Sequence, residues 1–246
     1  MPKVLMNVRA FVGGCDLTGF NNKFEIAGAM DEKETTSFGS EGNKEFLGGL
    51  GSAAITAEGQ WSAGGVGDPD DTLSAALGTV GPWSVCDDGA NFGDVAWLVK
   101  ALESKYTIGG AIGDVAPWSA GVSSSSPLVR GRVLHPPGTA RTSTGSGTGY
   151  QIGAVPANQF MWVNLHVLSI AGTSTPTITV TVQSDDNSGF TSATTRGTFT
   201  AVTAANQPIG QNLRIAGAIA DDWWRIGFTI SGSTPSFLLY AAAGIA

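Results

Sequence analysis

Charge is scarce in this chain of 246 residues, with Asp, Glu, Lys and Arg making up 13% of it against roughly 25% in an ordinary soluble domain. Cations are the scarcer sign: 13 Lys and Arg give a net charge of −7. That excludes a phosphate-gripping nucleic-acid binder, which needs clustered Lys and Arg. Cysteine is nearly absent. Cys15 and Cys86 form no CxxC pair, and two reduced thiols are expected rather than a disulfide. Of histidines there are His135 and His166 alone, each expected as a packed or surface residue because a metal site needs convergent ligands at set spacing. No run reaches the ~20 apolar residues of a membrane span. "MPKVLMNVRA" lacks the apolar core and cleavage site of a secretory signal. The expectation is a protein made in the cytoplasm with no membrane partner.

Catalytic signatures are missing too. There is no G-x-S-x-G elbow. The Gly-rich "GSGTGYQIG" has neither the leading strand nor the following helix that a phosphate loop requires. "DPDD" (68–71) lacks the ordered oxygen spacing of a calcium loop and suits a helix start. Carboxylate pairs such as Asp87-Asp88, Asp185-Asp186 and Asp221-Asp222 point to opposite faces when extended, so turn chemistry explains them better than paired acid–base work. Hence we expect no enzyme, no catalytic residues, no metal and no cofactor. Trp83, Trp97, Trp118, Trp162, Trp223 and Trp224 raise sugar stacking, although most Trp in β-rich proteins anchors cores.

What the chain does contain is glycine, 35 of them, with abundant Ser and Thr and many alternating stretches. A strand is expected in "KVLMNVRAFVGG", a short helix in "NKEFLGGL" (43–50), and a strand in "SAAITAEGQW" (52–61). A second short helix is expected at 70–77, capped by Asp70 or Asp71, and two strands across 95–110. "PPGTARTSTGSGTG" reads as a linker. Beyond it the alternation is cleaner. Val163, Leu165 and Val167 alternate with Trp162, Asn164 and His166; Ile178, Val180 and Val182 alternate with Thr; Trp224, Ile226, Phe228 and Ile230 follow suit, separated by turns such as "SDDNSG" and "SGSTP". The chain closes on an apolar last strand, "SFLLYAAAGIA", fit for a core or an assembly contact. Charge divides the same way: residues 1–126 hold 16 acids and 7 bases, and 127–246 hold 4 acids and 6 arginines. The expected architecture is all-β with one or two short helices: a β-barrel or sandwich over 1–136, a Gly/Ser/Thr linker at 137–149 and a second antiparallel β-sandwich-like module over 150–246.

One stretch stands against the general poverty of charge. "NNKFEIAGAMDEKETTSFGS" (21–40) starts as a strand and runs into Asp31-Glu32-Lys33-Glu34 and Thr35-Thr36. In order, the chain carries "DLTG", a strand with "NKFEI", an acidic stretch into "ETTSFGS", "KEFLGGL", and a strand ending "GQW". In that order of parts it resembles the major tail tube proteins of long-tailed, non-contractile (siphovirus-type) bacteriophages, over about the first 60 residues. The resemblance implies a structural virion protein of the tail, assembled in the bacterial host cytoplasm. It implies homo-oligomeric rings, usually hexameric, stacked into a hollow tube that ejects DNA without binding it specifically. Tape measure and tail terminator or tip proteins would be its other partners. Asp31, Glu32, Lys33, Glu34, Thr35 and Thr36 would then be contacts between subunits on an inter-ring hairpin, their charges also guarding an exposed edge. An acidic first module would line the lumen and repel phosphate. The alternative is a virion decoration or host-surface glycan-binding β-sandwich, in which Trp-rich turns of the second module hold the sugar.

Overall fold

The structure is a computed structural model and describes residues 4–65, 67–206 and 209–246. The first half comprises β1 (Arg9–Val12), β2 (Cys15–Asp16), β3 (Asn21–Glu34), β4 (Phe46–Gln60), the helix α1 (Pro69–Ala76), β5 (Val80–Cys86), β6 (Val95–Ile108), β7 (Pro117–Ser124) and β8 (Val129–His135). The second comprises β9 (Gly145–Ser146), β10 (Tyr150–Gln151), β11 (Phe160–Asp185), β12 (Thr194–Thr198), β13 (Val202–Thr203), β14 (Ile209–Ala216) and β15 (Trp223–Ile245). Every strand pair is antiparallel. The protein is all-β, with one α-helix among the described residues.

Several local expectations change. The first strand forms only at Arg9–Val12, and Lys3 lies outside the described residues. The segment 43–50 is no helix: Phe46–Leu50 belongs to β4, because pairing with β3 outweighs the weak helical pattern of a stretch holding Gly48 and Gly49. The helix starts one residue early, at Pro69, whose fixed φ suits the first helical position. Its N-cap is Asp68 instead of Asp70 or Asp71. Asp68 instead accepts from the Gly65 amide, while Asp71 accepts from the Gly64 amide, so both carboxylates shape the loop before the helix. Residues 95–108 form one strand, not two, since β6 pairs with β5 and β8 along its first half and with β7 along its second.

Beyond residue 150 the separate strands expected from alternation merge. β11 spans 26 residues and β15 spans 23, and they pair from Met161↔Ile245 to Asp185↔Trp223. The "SGSTP" segment is a corner inside this ribbon. There Ser174, Thr175 and Thr234 adopt positive φ and the register shifts, so the ribbon folds over itself. Val163, Leu165, Val180, Val182, Ile226 and Leu239 from both limbs then share one core. A second core beneath β4, β5, β6 and β7 gathers Ile55, Leu73, Trp83, Val99, Trp118 and Val122.

The polar side of the first β11 limb is buried as well, because it packs on β5 and β1 rather than facing water. Asn164 donates to the Trp83 carbonyl at 2.9 Å and to Ser84 Oγ at 3.1 Å, and accepts from Asn212 at 2.6 Å. His166 spans Ser84 Oγ, 2.8 Å from Nε2, and the Gly13 carbonyl on Nδ1. Tyr240 stacks on Phe11 with centroids 4.1 Å apart and bonds Cys86 Sγ at 3.2 Å. Gly210 is obligatory here: a Cβ would lie 2.0 Å from the Gly13 carbonyl oxygen. β8 adds a covalently independent tie, pairing with β6 on one edge and β15 on the other. Within 137–149, Arg141 exchanges backbone hydrogen bonds with Phe237, and β9 pairs with β15.

Candidate functional site

The feature that differs most from this packed body is the β3–β4 hairpin. β4 lies between β3 and β7 only at its base, from Ala54 to Gln60. Beyond that point the two strands continue as a ribbon with no third strand among the described residues, and residues 27–34 and 46–52 are exposed. We call this ribbon the arm. The outer edge of β3 has no strand partner among the described residues along its 14 residues.

Asp31, Glu32, Lys33 and Glu34 form the distal end of β3, where Glu32 faces Gly48, Lys33 faces Leu47 and Glu34 faces Phe46. Period-two alternation therefore puts Met30, Glu32 and Glu34 on one face with Phe46, and Asp31 and Lys33 on the other with Leu47. Lys33 pairs with Asp31 at 3.4 Å and Lys44 with Glu34 at 3.2 Å, both in water, where such pairs contribute little. Thr35 donates its amide to the Glu45 carbonyl at 2.8 Å, and Thr36 Oγ1 accepts from the Glu45 amide at 3.1 Å, which closes the ribbon. The tip is a 3-10 turn, Phe38–Ser40, held by reciprocal Ser37 and Ser40 bonds, and it presents Phe38 fully to solvent. The six residues singled out from sequence are thus brought together on one element, all exposed.

Sequence reasoning missed the apolar half of this surface. Met30, Phe38, Phe46, Leu47 and Leu50 are all exposed on the arm, and Ile112 and Val115 are exposed in the β6–β7 turn. The available signal was the acidic strand itself. A strand needs a partner of matching length, and "KEFLGGLGSAAITAEGQ" supplies one if read as a single strand.

Other constellations do not form open sites. Ser84 and His166 sit at nucleophile–base distance, yet both are fully buried, and the other ring nitrogen of the imidazole faces a backbone carbonyl. Burial lowers the pKa of His166 to about 4, and burial plus the nearby Arg141 charge lowers that of His135 to about 4. Both thiols are free and buried; burial pushes Cys86 up to about 12 and raises Cys15. Among the described residues no three His, Cys, Asp or Glu side chains converge as metal ligands. Six of the seven tryptophans lie in strands: Trp83, Trp118 and Trp224 are buried, and Trp97, Trp162 and Trp223 are half-buried, while Trp61 follows the end of β4 and is exposed.

No protein-family model and no curated protein matches the chain. Among solved structures, it is similar to a chain in the virion of a native gene transfer agent particle, at 20% identity and TM-score 0.38, covering 45% of this chain and 84% of that one. It is similar to a chain of the PVC sheath–tube complex of an extracellular contractile injection system, at 15% identity and TM-score 0.43, covering 54% and 93%. It is also similar to the SPP1 Dit protein, at 10% identity and TM-score 0.38, covering 98% and 100%.

Proposed function

We propose that the chain is a structural subunit of a phage-tail-type tube, self-assembling into rings that stack, with the arm bridging subunits. The observation that carries this reading is the arm. A two-stranded ribbon is only marginally stable alone in water, and this one exposes Met30, Phe38, Phe46, Leu47 and Leu50. A body that buries its other long ribbon on either side of that ribbon's corner has reason to present such an apolar surface for cover by another molecule. The acidic tip keeps the free edge soluble and unpaired until assembly. The order of sequence parts that resembles tail tube proteins supports the same assignment.

On this reading the finished structure is a virion tail built in the host cytoplasm, with tape measure and terminator or tip proteins as further partners. Residues 1–136 and 150–246 act as two modules about the 137–149 connection, and the acidic first module faces the lumen, so DNA passes without being held. A hexameric ring is the form that the resemblance implies. Negative-stain electron microscopy over a range of concentrations tests the reading. Hollow rings or tubes are expected from the full chain. Shortening the arm by deleting 31–50 and closing it with Asn-Gly across the Met30–Gly51 pair should abolish them. A shortened chain that still makes tubes would overturn the reading.

A further inference from the structure

An arm that docks needs a receiving surface, and the chain carries one of opposite charge. Arg130 and Arg132 line a cleft of about 280 Å3 together with Tyr150, Ile152 and Ile245. Both arginines lie on β8 two residues apart, so they project from the same face with a separation of about 7 Å. Arg130 is exposed and pairs with no carboxylate among the described residues. Arg132 spends one N–H on the Gly93 carbonyl at 3.2 Å and sits 5.9 Å from the Tyr150 ring centroid, leaving the rest of its fork open.

The arm repeats that spacing with the other sign. Glu32 and Glu34 are also two residues apart on one strand face, flanked by the exposed Met30 and Phe46. Glu32 has no cation partner among the described residues, and Glu34 has only the exposed Lys44. Two carboxylates at strand repeat match two guanidinium forks at strand repeat, a geometry that Arg recognises bidentately. Met30 and Phe46 flank the two carboxylates, and Tyr150, Ile152 and Ile245 supply the smaller, apolar part of the cleft surface. We propose that the Glu32/Glu34 face of one copy's arm docks in the Arg130/Arg132 cleft of a second copy. This rests on the tube-subunit reading above. Because arm and cleft are different surfaces, the contact is heterologous and propagates from copy to copy, as a ring or tube requires.

Charge exchange in the full chain tests it, with the critical concentration for assembly read by light scattering and particle shape by electron microscopy. Thermal melts confirm that each variant is folded. Arg130→Glu with Arg132→Glu, and separately Glu32→Arg with Glu34→Arg, should each raise the critical concentration at least tenfold. Arg130→Glu alone, which removes no side-chain hydrogen bond or ion pair among the described residues, should raise it several-fold. The chain carrying all four changes should recover assembly. If cleft reversal leaves the critical concentration unchanged while the arm-shortened chain fails to assemble, the arm docks elsewhere and this inference falls, with the tube reading intact. Failure of the fourfold chain to recover also overturns it. Tubes from the arm-shortened chain would remove both.

Discussion

The chain contains two long antiparallel ribbons with opposite fates. The β11–β15 ribbon carries one charged residue on each strand, Asp185 and Arg225. It bends at its corner and covers itself, and the polar side of its first limb is sealed against β5 and β1. The arm carries Asp31, Glu32, Lys33 and Glu34 on β3 alone, with Lys23 and Glu25 on the same strand in its base, and it has no third strand beside it beyond that base among the described residues. The same secondary structure therefore serves stability in one place and presentation in the other. Charge placement is what separates them: a covered ribbon cannot carry unpaired charge, and a free one is kept from indiscriminate pairing by carrying it.

The sharpest way to break this comparison is to make one substitution in both ribbons. Leu165 is 0% exposed and Leu47 is 63% exposed. Leu165→Ala should cost about 2–5 kcal/mol, the usual range for a buried leucine, and Leu47→Ala should stay within about 0.5 kcal/mol, both measured by urea denaturation. Equal losses would mean that the arm folds back on the body. Next in size is the sealed joint. Asn164→Ala strands the Trp83 carbonyl and Asn212, and should cost about 1–3 kcal/mol for polar groups left buried without partners.

Those two contrasts depend on which face of a strand is covered, and that is where the sequence was least legible. Alternation identified Val163, Leu165, Val167, Ile178, Val180 and Val182 as inward-facing, and all are buried. The same alternation sets Asn164 and His166 on the opposite face, where a packed or a surface His166 were both open, and both residues are buried in the joint. A period-two pattern records that two faces differ and cannot say what packs on the polar one. The merging of strands into β11 and β15 was hidden by Ser, Thr, Gly and Pro at 172–176 and 231–235, residues that serve a turn and a corner equally well. On the arm the acidic strand was legible, and its apolar partner strand was masked by a short helix-like pattern at 43–50.

pH sharpens the comparison further, because it acts on the body's buried groups. His135 and His166 titrate near 4 when folded, below the ordinary value of 6.5. The unfolded chain takes up their protons first, so stability is full above about pH 6.5 and is lost as pH falls toward 4, by at most ~1.4 kcal/mol per pH unit for each. Glu103 runs the other way. It is 1% exposed, neither carboxylate oxygen has a hydrogen-bond partner, and burial raises its pKa to about 8 from 4.5. Its burial is tolerated at low pH, and stability is lost as pH rises toward 8. Asp70 on α1 and Tyr106 on β6 are bonded to each other nearby, and Tyr106 feels the Glu103 charge. Glu103→Gln should therefore gain stability over the parent chain, with the gain growing from pH 5 to pH 8 in thermal melts. A gain independent of pH would show that the carboxyl is not the cause. Smallest in energy is the thiol test: with burial pushing Cys86 to about 12 and raising Cys15, iodoacetamide should label neither at pH 8 without denaturant.

The central claim is that the arm is uncovered in the single chain and covered by another copy on assembly. Amide hydrogen exchange in dilute and in concentrated, assembled samples tests it most directly. In the dilute sample, amides of 27–34 and 46–52 should exchange fast while those of β11 and β15 away from the corner stay protected. In the assembled sample, the arm amides should slow by at least tenfold and the ribbon should change little. Arm amides that exchange equally fast in both samples, with tubes visible in the concentrated one, would contradict the account.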